Sequence, residues 1–170
     1  MTPINQTRLY GHNHKILEFV DLFNNGRLPN KILLTGQKGI GKSTLAFHLV
    51  NCVLSKKEEF SYNLENFTIN EKNRTFKLIQ NKSNQNFSLI DIDEKKKTID
   101  IQQIRNLIKD LNKSSFNEKP RFVLIDNIEY LNINSINALL KTLEESVKNT
   151  FFILINNNTK ILPTLKSRCI

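Results

Sequence analysis

A chain of 170 residues, 39% hydrophobic and 24% charged, is long enough for one domain with a sizeable core and has the composition of a soluble globular protein rather than a disordered one. No apolar run approaches the roughly 20 residues of a membrane span, and residues 1–10 lack the apolar stretch of a signal peptide, so a cytoplasmic location is expected. The net charge of +9 would favour phosphate-rich partners through counterion release. It fits equally the Lys, Asn and Ile bias of an AT-rich coding sequence, and charge speaks to association rather than to fold.

The first helical pattern covers residues 13–24, where Ile16, Leu17, Phe19, Val20 and Phe23 recur at helical spacing. Gly26 and Pro29 end it. Residues 31–35 (KILLT) fit a short buried strand, and residues 44–54 a helix with Leu45, Ala46, Leu49, Val50 and Val53 inward. A polar stretch rich in Lys and Asn, about residues 56–86, reads as an irregular or short-strand insertion. Residues 87–91 (FSLID) resemble another strand. Asp100 and Gln103 have the spacing of a capping box, opening a helix with Ile101, Ile104, Leu107, Ile108 and Leu111 on one face.

Residues 121–126 (RFVLID) form an apolar strand ending in a carboxylate. A helix over residues 134–145 turns Ile136, Leu139, Leu140 and Leu143 inward, and residues 151–156 (FFILIN) make a last buried strand. Apolar strands alternating with helices predict an α/β fold with a mostly parallel sheet covered on both faces. Such a sheet binds its ligand at the carboxyl ends of its strands, where the loop after Thr35, Asp126 and Asn156 all fall.

Residues 36–43, GQKGIGKS, match the phosphate-binding pattern G-x-x-x-x-G-K-[ST]. Gly36, Gly39 and Gly41 let backbone N–H groups turn inward around phosphates, and the helix that starts near Thr44 points its positive end at the same place. Lys42 would reach the β and γ phosphates and Ser43 would hold Mg²⁺, with Asp126 reaching the ion through water. Asn127 follows, where many ATPases of this type carry a Glu that activates the attacking water. An amide hydrogen-bonds but cannot take a proton as a carboxylate does, so ATP binding is expected ahead of hydrolysis. Glu129 is the alternative acid, and Asn156 would hydrogen-bond the γ-phosphate or water. Cys52 and Cys169 lie far apart without CxxC spacing and predict neither a disulfide framework nor a zinc site.

Residues 28–43 (LPNKILLTGQKGIGKS), 123–132 (VLIDNIEYLN), 135–145 (SINALLKTLEE) and 161–169 (ILPTLKSRC) together resemble the AAA+ subunits of the bacterial DNA polymerase III clamp loader. The N-A-L-L-K-x-L-E-E run followed by S-R-C is highly specific to them, and the resemblance is weakest over residues 56–86. It implies a P-loop NTPase (AAA+) three-layer domain over residues 1–170, with ATP and Mg²⁺ as ligands. It also implies a subunit of a DNA-directed DNA polymerase holoenzyme, in a hetero-pentameric ring with delta and tau/gamma subunits. Such a ring loads a sliding clamp onto primed DNA and involves no membrane. Residues 10–12 (YGH) would lie beside the base, Asn156 would be sensor 1, and Arg168 of S-R-C would be a finger acting in trans on a neighbour's ATP.

Among these subunits the delta-prime pattern, an Asp strand without the Glu but with S-R-C retained, fits Asp126 and Asn127 best. An ATP-hydrolysing tau/gamma motor is the alternative. Many relatives carry a four-cysteine zinc module before the Asp strand, whereas here only Cys52 is nearby, so no zinc is expected. Family members continue after S-R-C into a last core strand, a lid and a collar, so the chain reads as a fragment lacking lid and collar, with Ile170 starting that strand. DNA contact is expected to be backbone-directed and salt-dependent. A P-loop kinase or a nucleic-acid-stimulated regulator is the competing class, against which the N-A-L-L-K-x-L-E-E helix with S-R-C argues.

Overall fold

The computed structural model describes residues 2–93, 96–113, 117–145, 148–158 and 163–170. Its elements are α1 (Asn13–Asn24), β1 (Lys31–Thr35), α2 (Lys42–Leu54), α3 (Arg74–Gln80), β2 (Phe87–Ile90), α4 (Ile101–Leu111), β3 (Arg121–Ile125), α5 (Ile133–Glu144), β4 (Thr150–Asn156) and α6 (Pro163–Lys166). The four strands form one parallel sheet in the order β1-β4-β3-β2.

Strand alternation divides the core. On β3, Phe122 and Leu124 join Ile16 and Val20 of α1, Leu49 of α2 and Phe76 of α3 in one cluster. Val123 and Ile125 join Ile104 and Leu107 of α4 with Leu139 and Leu143 of α5 in the other. Both faces are therefore covered, which is why these strands read as continuous apolar runs. Burial of each such side chain contributes about 1.5–3 kcal/mol. The result is the three-layer arrangement expected from the sequence.

Handedness then places the crevice. The path from β1 to β2 crosses the sheet past α2 and α3, while β2, β3 and β4 step back through α4 and α5 on the opposite face. Right-handed crossovers that reverse direction must change faces. The loops after β1 and β3 consequently leave toward opposite layers and open a crevice at the strand ends. At the other edge of β1, Ile170 donates to Lys31 O (3.0 Å) and accepts from Leu33 N (2.8 Å), the slanted pattern of parallel pairing.

Two elements depart from the sequence reading. Helix α2 begins at Lys42 rather than Thr44, directly after Gly41 in a left-handed conformation. The stretch expected to be irregular or short-stranded contains the helix α3, capped by Asn73 Oδ1 accepting from Phe76 N at 2.7 Å. Tyr62, Ile69, Phe76 and Ile79 of this stretch are buried in the core. Only the antiparallel bridges Asn63–Thr68 and Arg8–Thr68 give it strand character. The Asp100–Gln103 capping box is present in both directions. No helix among the described residues is long and apolar enough to cross a membrane.

Candidate functional site

The loop after β1 is shaped by glycines whose positions a side chain would fill. Gly36 has φ 145° and a Cβ there would lie 2.8 Å from Ile40 Cδ1. Gly41 has φ 92°, and its Cβ would meet the His12 ring at 3.2 Å. The imidazole packs there because its Nε2 donates to Ile40 O (2.6 Å). The loop's backbone thus runs straight from Gly41 into α2, whose first N–H groups lack intrahelical partners.

A cleft of about 640 Å³ opens at this point, lined by residues 38–44 together with Arg8, Tyr10, Asp91, Asp126, Asn127 and Asn157 among others. That volume suits a small-molecule ligand. Lys42 is 6% exposed, and its ammonium donates to the carbonyls of Gly36 (2.8 Å) and Gln37 (2.7 Å). Burial holds its pKa below the usual lysine value, against the opposing pull of the Asp126 and Glu129 carboxylates. Ser43 Oγ donates to Asp126 Oδ2. Burial raises the Asp126 carboxyl above the ordinary range, aided by the charges of Asp91 and Glu129 and opposed by hydrogen bonds from Ser43 and the Asn127 N–H.

Among the described residues no three His, Cys, Asp or Glu side chains are grouped to hold a metal by themselves. Ser43 Oγ and Asp126 Oδ2 do supply hard oxygen donors at one point. That set fits Mg²⁺, which takes one or two protein oxygens and completes its shell with phosphate and water.

Asn127 adopts φ 56°, a left-handed conformation that Asn tolerates better than most residues. Its Nδ2 donates to Asp91 Oδ1 (2.7 Å), and its Oδ1 accepts from Asn157 Nδ2 (2.9 Å). This chain of side chains links the ends of β2, β3 and β4. Glu129 is turned to the backbone of β4's exit, where its Oε2 accepts from Asn157 N (3.2 Å).

The sequence-derived site residues separate into groups. Gly39, Gly41, Lys42, Ser43, Thr44 and Asp126 come together at the cleft, with Gly36 bonded to the Lys42 ammonium. Asn156 is 1% exposed and donates to Asn158 O (2.7 Å), while Asn157 lines the cleft. Alternation along β4 explains this. Phe152 and Leu154 face the α4–α5 layer and Ile153 and Ile155 face α2, so the next residue toward α2 is 157. Asp91 was missed, although a carboxylate closing a strand is the same signal that marked Asp126. Arg8 was also missed. The antiparallel contacts of Thr7 and Leu9 with Phe67 and Ile69 (2.8–3.0 Å) hold it with its guanidinium over the Tyr10 ring at 5.3 Å.

Arg168 lies against the C-terminal end of α5. Its Nε and Nη2 bond Glu144 Oε1 at 2.8 and 2.5 Å, and it is not among the residues lining the cleft.

A family model described as DNA polymerase III, delta subunit matches residues 11–170. The chain belongs to that family. This delta-family chain is similar to the DNA polymerase III subunit delta' of Buchnera aphidicola subsp. Baizongia pistaciae, with 30% identity over 94% of the chain and 47% of the relative. It is likewise similar to subunit delta' of Pseudomonas aeruginosa, at 30% over 81% of the chain and 40% of the relative. Subunit tau of Escherichia coli K12 is 27% identical over 94% of the chain and 24% of its own length. The chain thus spans about half or less of the length of these relatives.

Among solved structures, a gamma subunit-related DNA polymerase III protein of Thermotoga maritima superposes with TM-score 0.58 at 20% identity, covering 89% of the chain and 44% of that protein. The RuvB Holliday junction branch migration motor of the same organism gives 0.52 at 17%, covering 98% and 47%. These likenesses agree with the fold, a parallel α/β domain.

Proposed function

We propose that the chain is the nucleotide-binding domain of a delta-prime-type clamp loader subunit of the DNA polymerase III holoenzyme. It binds ATP with Mg²⁺ and hydrolyses it little. It supplies Arg168 to ATP held by a neighbouring subunit in a hetero-pentameric ring that loads the sliding clamp onto primed DNA. The observation that carries this reading is Asn127. The residue after Asp126 is an amide whose two ends are engaged by Asp91 and Asn157, so that position offers no proton acceptor for an attacking water.

The binding half of the function follows from the loop. Lys42 exchanges its two carbonyl partners for phosphate oxygens, a charge-assisted contact in a buried setting. The N–H groups at the start of α2 meet the same anion. Ser43 and Asp126 hold Mg²⁺, which when bound neutralises phosphate charge. Tyr10 and Arg8 at the cleft edge offer a stacking surface beside the base. Arg168, held away from this cleft, would stabilise charge developing on a neighbour's nucleotide.

The test uses the full-length protein assembled with its partner subunits, comparing steady-state ATPase with and without Arg168→Ala. Loss of the turnover contributed by the neighbouring site supports the reading. Unchanged turnover overturns it.

A second reading, an ATP-hydrolysing motor of gamma/tau type, is favoured by the similarity to Buchnera subunit gamma at 27% over 95% of the chain. Its acid would be Glu129, whose carboxylate is instead occupied by the Asn157 N–H. ATP hydrolysis by the isolated full-length subunit, abolished by Glu129→Gln, would establish it.

A further inference from the structure

We propose that Glu144 is a positioning residue that aims Arg168 at the neighbouring nucleotide. The proposal rests on the reading of Arg168 as a finger in trans and assigns the support that such a finger needs.

The backbone on both sides of Arg168 is anchored. Leu165 is 1% exposed in the α4–α5 core, and Cys169 packs against the same cluster. Ile170 is bonded to both Lys31 and Leu33 of β1. A rigid platform of this kind is what a functional side chain requires. The side chain itself is long and loses much rotamer freedom when ordered, so the platform alone does not orient the guanidinium.

Glu144 supplies the missing constraint. Its Oε1 accepts from both Nε and Nη2 of Arg168, while Nη1 donates to Thr164 O at 3.0 Å and approaches Ser167 Oγ at 3.5 Å. Nε and the syn N–H of Nη2 form one edge of the planar guanidinium, and that edge is occupied. The second N–H of Nη2 then projects from the end of the group, away from the carboxylate. A guanidinium held by its Nε–Nη2 edge and by Nη1, with the second Nη2 N–H left to donate, is preorganised for an anion arriving from outside.

Exposure agrees with such a role. The Arg168 and Glu144 side chains keep 33% and 54% of their accessible surface, so an incoming subunit reaches them without unfolding anything. Glu144 closes α5, the helix of the N-A-L-L-K-x-L-E-E run. The two sequence signatures, that helix and S-R-C, thereby meet in one ion pair.

The experiment measures ATPase in the full-length assembled complex, taking as signal the part of the turnover that Arg168→Ala removes. In the Glu144→Ala complex the kcat of that part falls about 10-fold with KM unchanged, the cost expected of a misaimed group. Glu144→Asp restores part of it, and Glu144→Ala adds nothing in the Arg168→Ala background. Thermal melting of the Glu144 variants stays that of the parent, because the carboxylate is exposed. An unchanged or raised kcat in Glu144→Ala, with Arg168→Ala still damaging, overturns the proposal alone. Full activity of Arg168→Ala overturns the underlying reading instead.

Discussion

Ser43 Oγ donates to Asp126 Oδ2 at 2.5 Å, joining the end of the phosphate loop to a strand 83 residues later in the chain. The pair is made by register. β4 lies between β1 and β3, Phe122 and Leu124 share the face of β3 that looks toward α2, and Asp126 follows directly on the strand's last residue, Ile125. The hydroxyl and the carboxylate therefore meet where the two strands end.

This carboxyl is raised by burial first and by Asp91 next, and an acid that holds Mg²⁺, directly or through water, does so as the anion. Affinity for Mg²⁺–ATP should accordingly fall as pH drops through a value above the ordinary Asp range near 4. A raised acid pKa means the folded state holds its proton longer, so the associated stability is present at low pH and lost as pH rises. Asp126→Asn should then weaken the Mg²⁺-dependent part of ATP binding and remove its pH dependence, while raising the melting temperature at pH 7. Titration of a fluorescent ATP analogue with and without Mg²⁺ across pH 5–8, beside thermal melts, reads both.

Asn127 carries a backbone and a side-chain contribution that can be separated. Asn127→Gly removes the bonds to Asp91 and Asn157 but relaxes the φ of 56°. Asn127→Ala removes the same bonds and places a Cβ in the left-handed region, a further cost of about 1–2 kcal/mol. Urea unfolding should rank parent above Gly above Ala. Equal stability of the two variants would show that the backbone is unstrained there.

Much of this centre was legible because its signals are local. The pattern of residues 36–43 has its own mechanism, the run from Phe122 to Ile125 needs cover on both faces, and the Asp100–Gln103 box forms as spaced. Helix α3 was hidden because only Phe76 and Ile79 mark its inner face and its cap, Asn73, stands in an Asn-rich stretch. Asn157 was hidden because the end of β4 has Asn at three consecutive positions, and only knowledge of which face meets α2 separates them. The Arg168–Glu144 pair joins residues 24 apart and follows from tertiary packing, which periodicity does not carry.

His48 is fully buried, with Nε2 donating to Gln6 O (3.0 Å) and Nδ1 accepting from the Tyr62 hydroxyl (2.9 Å). A carbonyl only accepts, so the proton sits on Nε2 and the ring is neutral. Burial pushes its pKa down from 6.5 to about 4. The unfolded chain thus binds the proton first, and stability complete above about pH 6.5 should decline by about 3 kcal/mol toward pH 4. Urea denaturation at pH 7, 5.5 and 4.5 tests the slope, and His48→Gln should flatten this part of it while lowering stability at pH 7.

Leu139 of α5 is fully buried against the sheet. Leu139→Ala should cost about 2–5 kcal/mol through lost burial and the cavity left behind. Denaturant midpoints at constant slope would report it, and a cost below about 1 kcal/mol would contradict the packing of α5 described above.

The most direct test compares two variants of this subunit in the otherwise unaltered full-length complex, Lys42→Ala and Arg168→Ala, by steady-state ATP hydrolysis. The account predicts that Arg168→Ala removes turnover at the neighbouring site while Lys42→Ala, which disables this subunit's own loop, leaves turnover nearly intact. Loss of turnover on Lys42→Ala with Arg168→Ala unimpaired would contradict it.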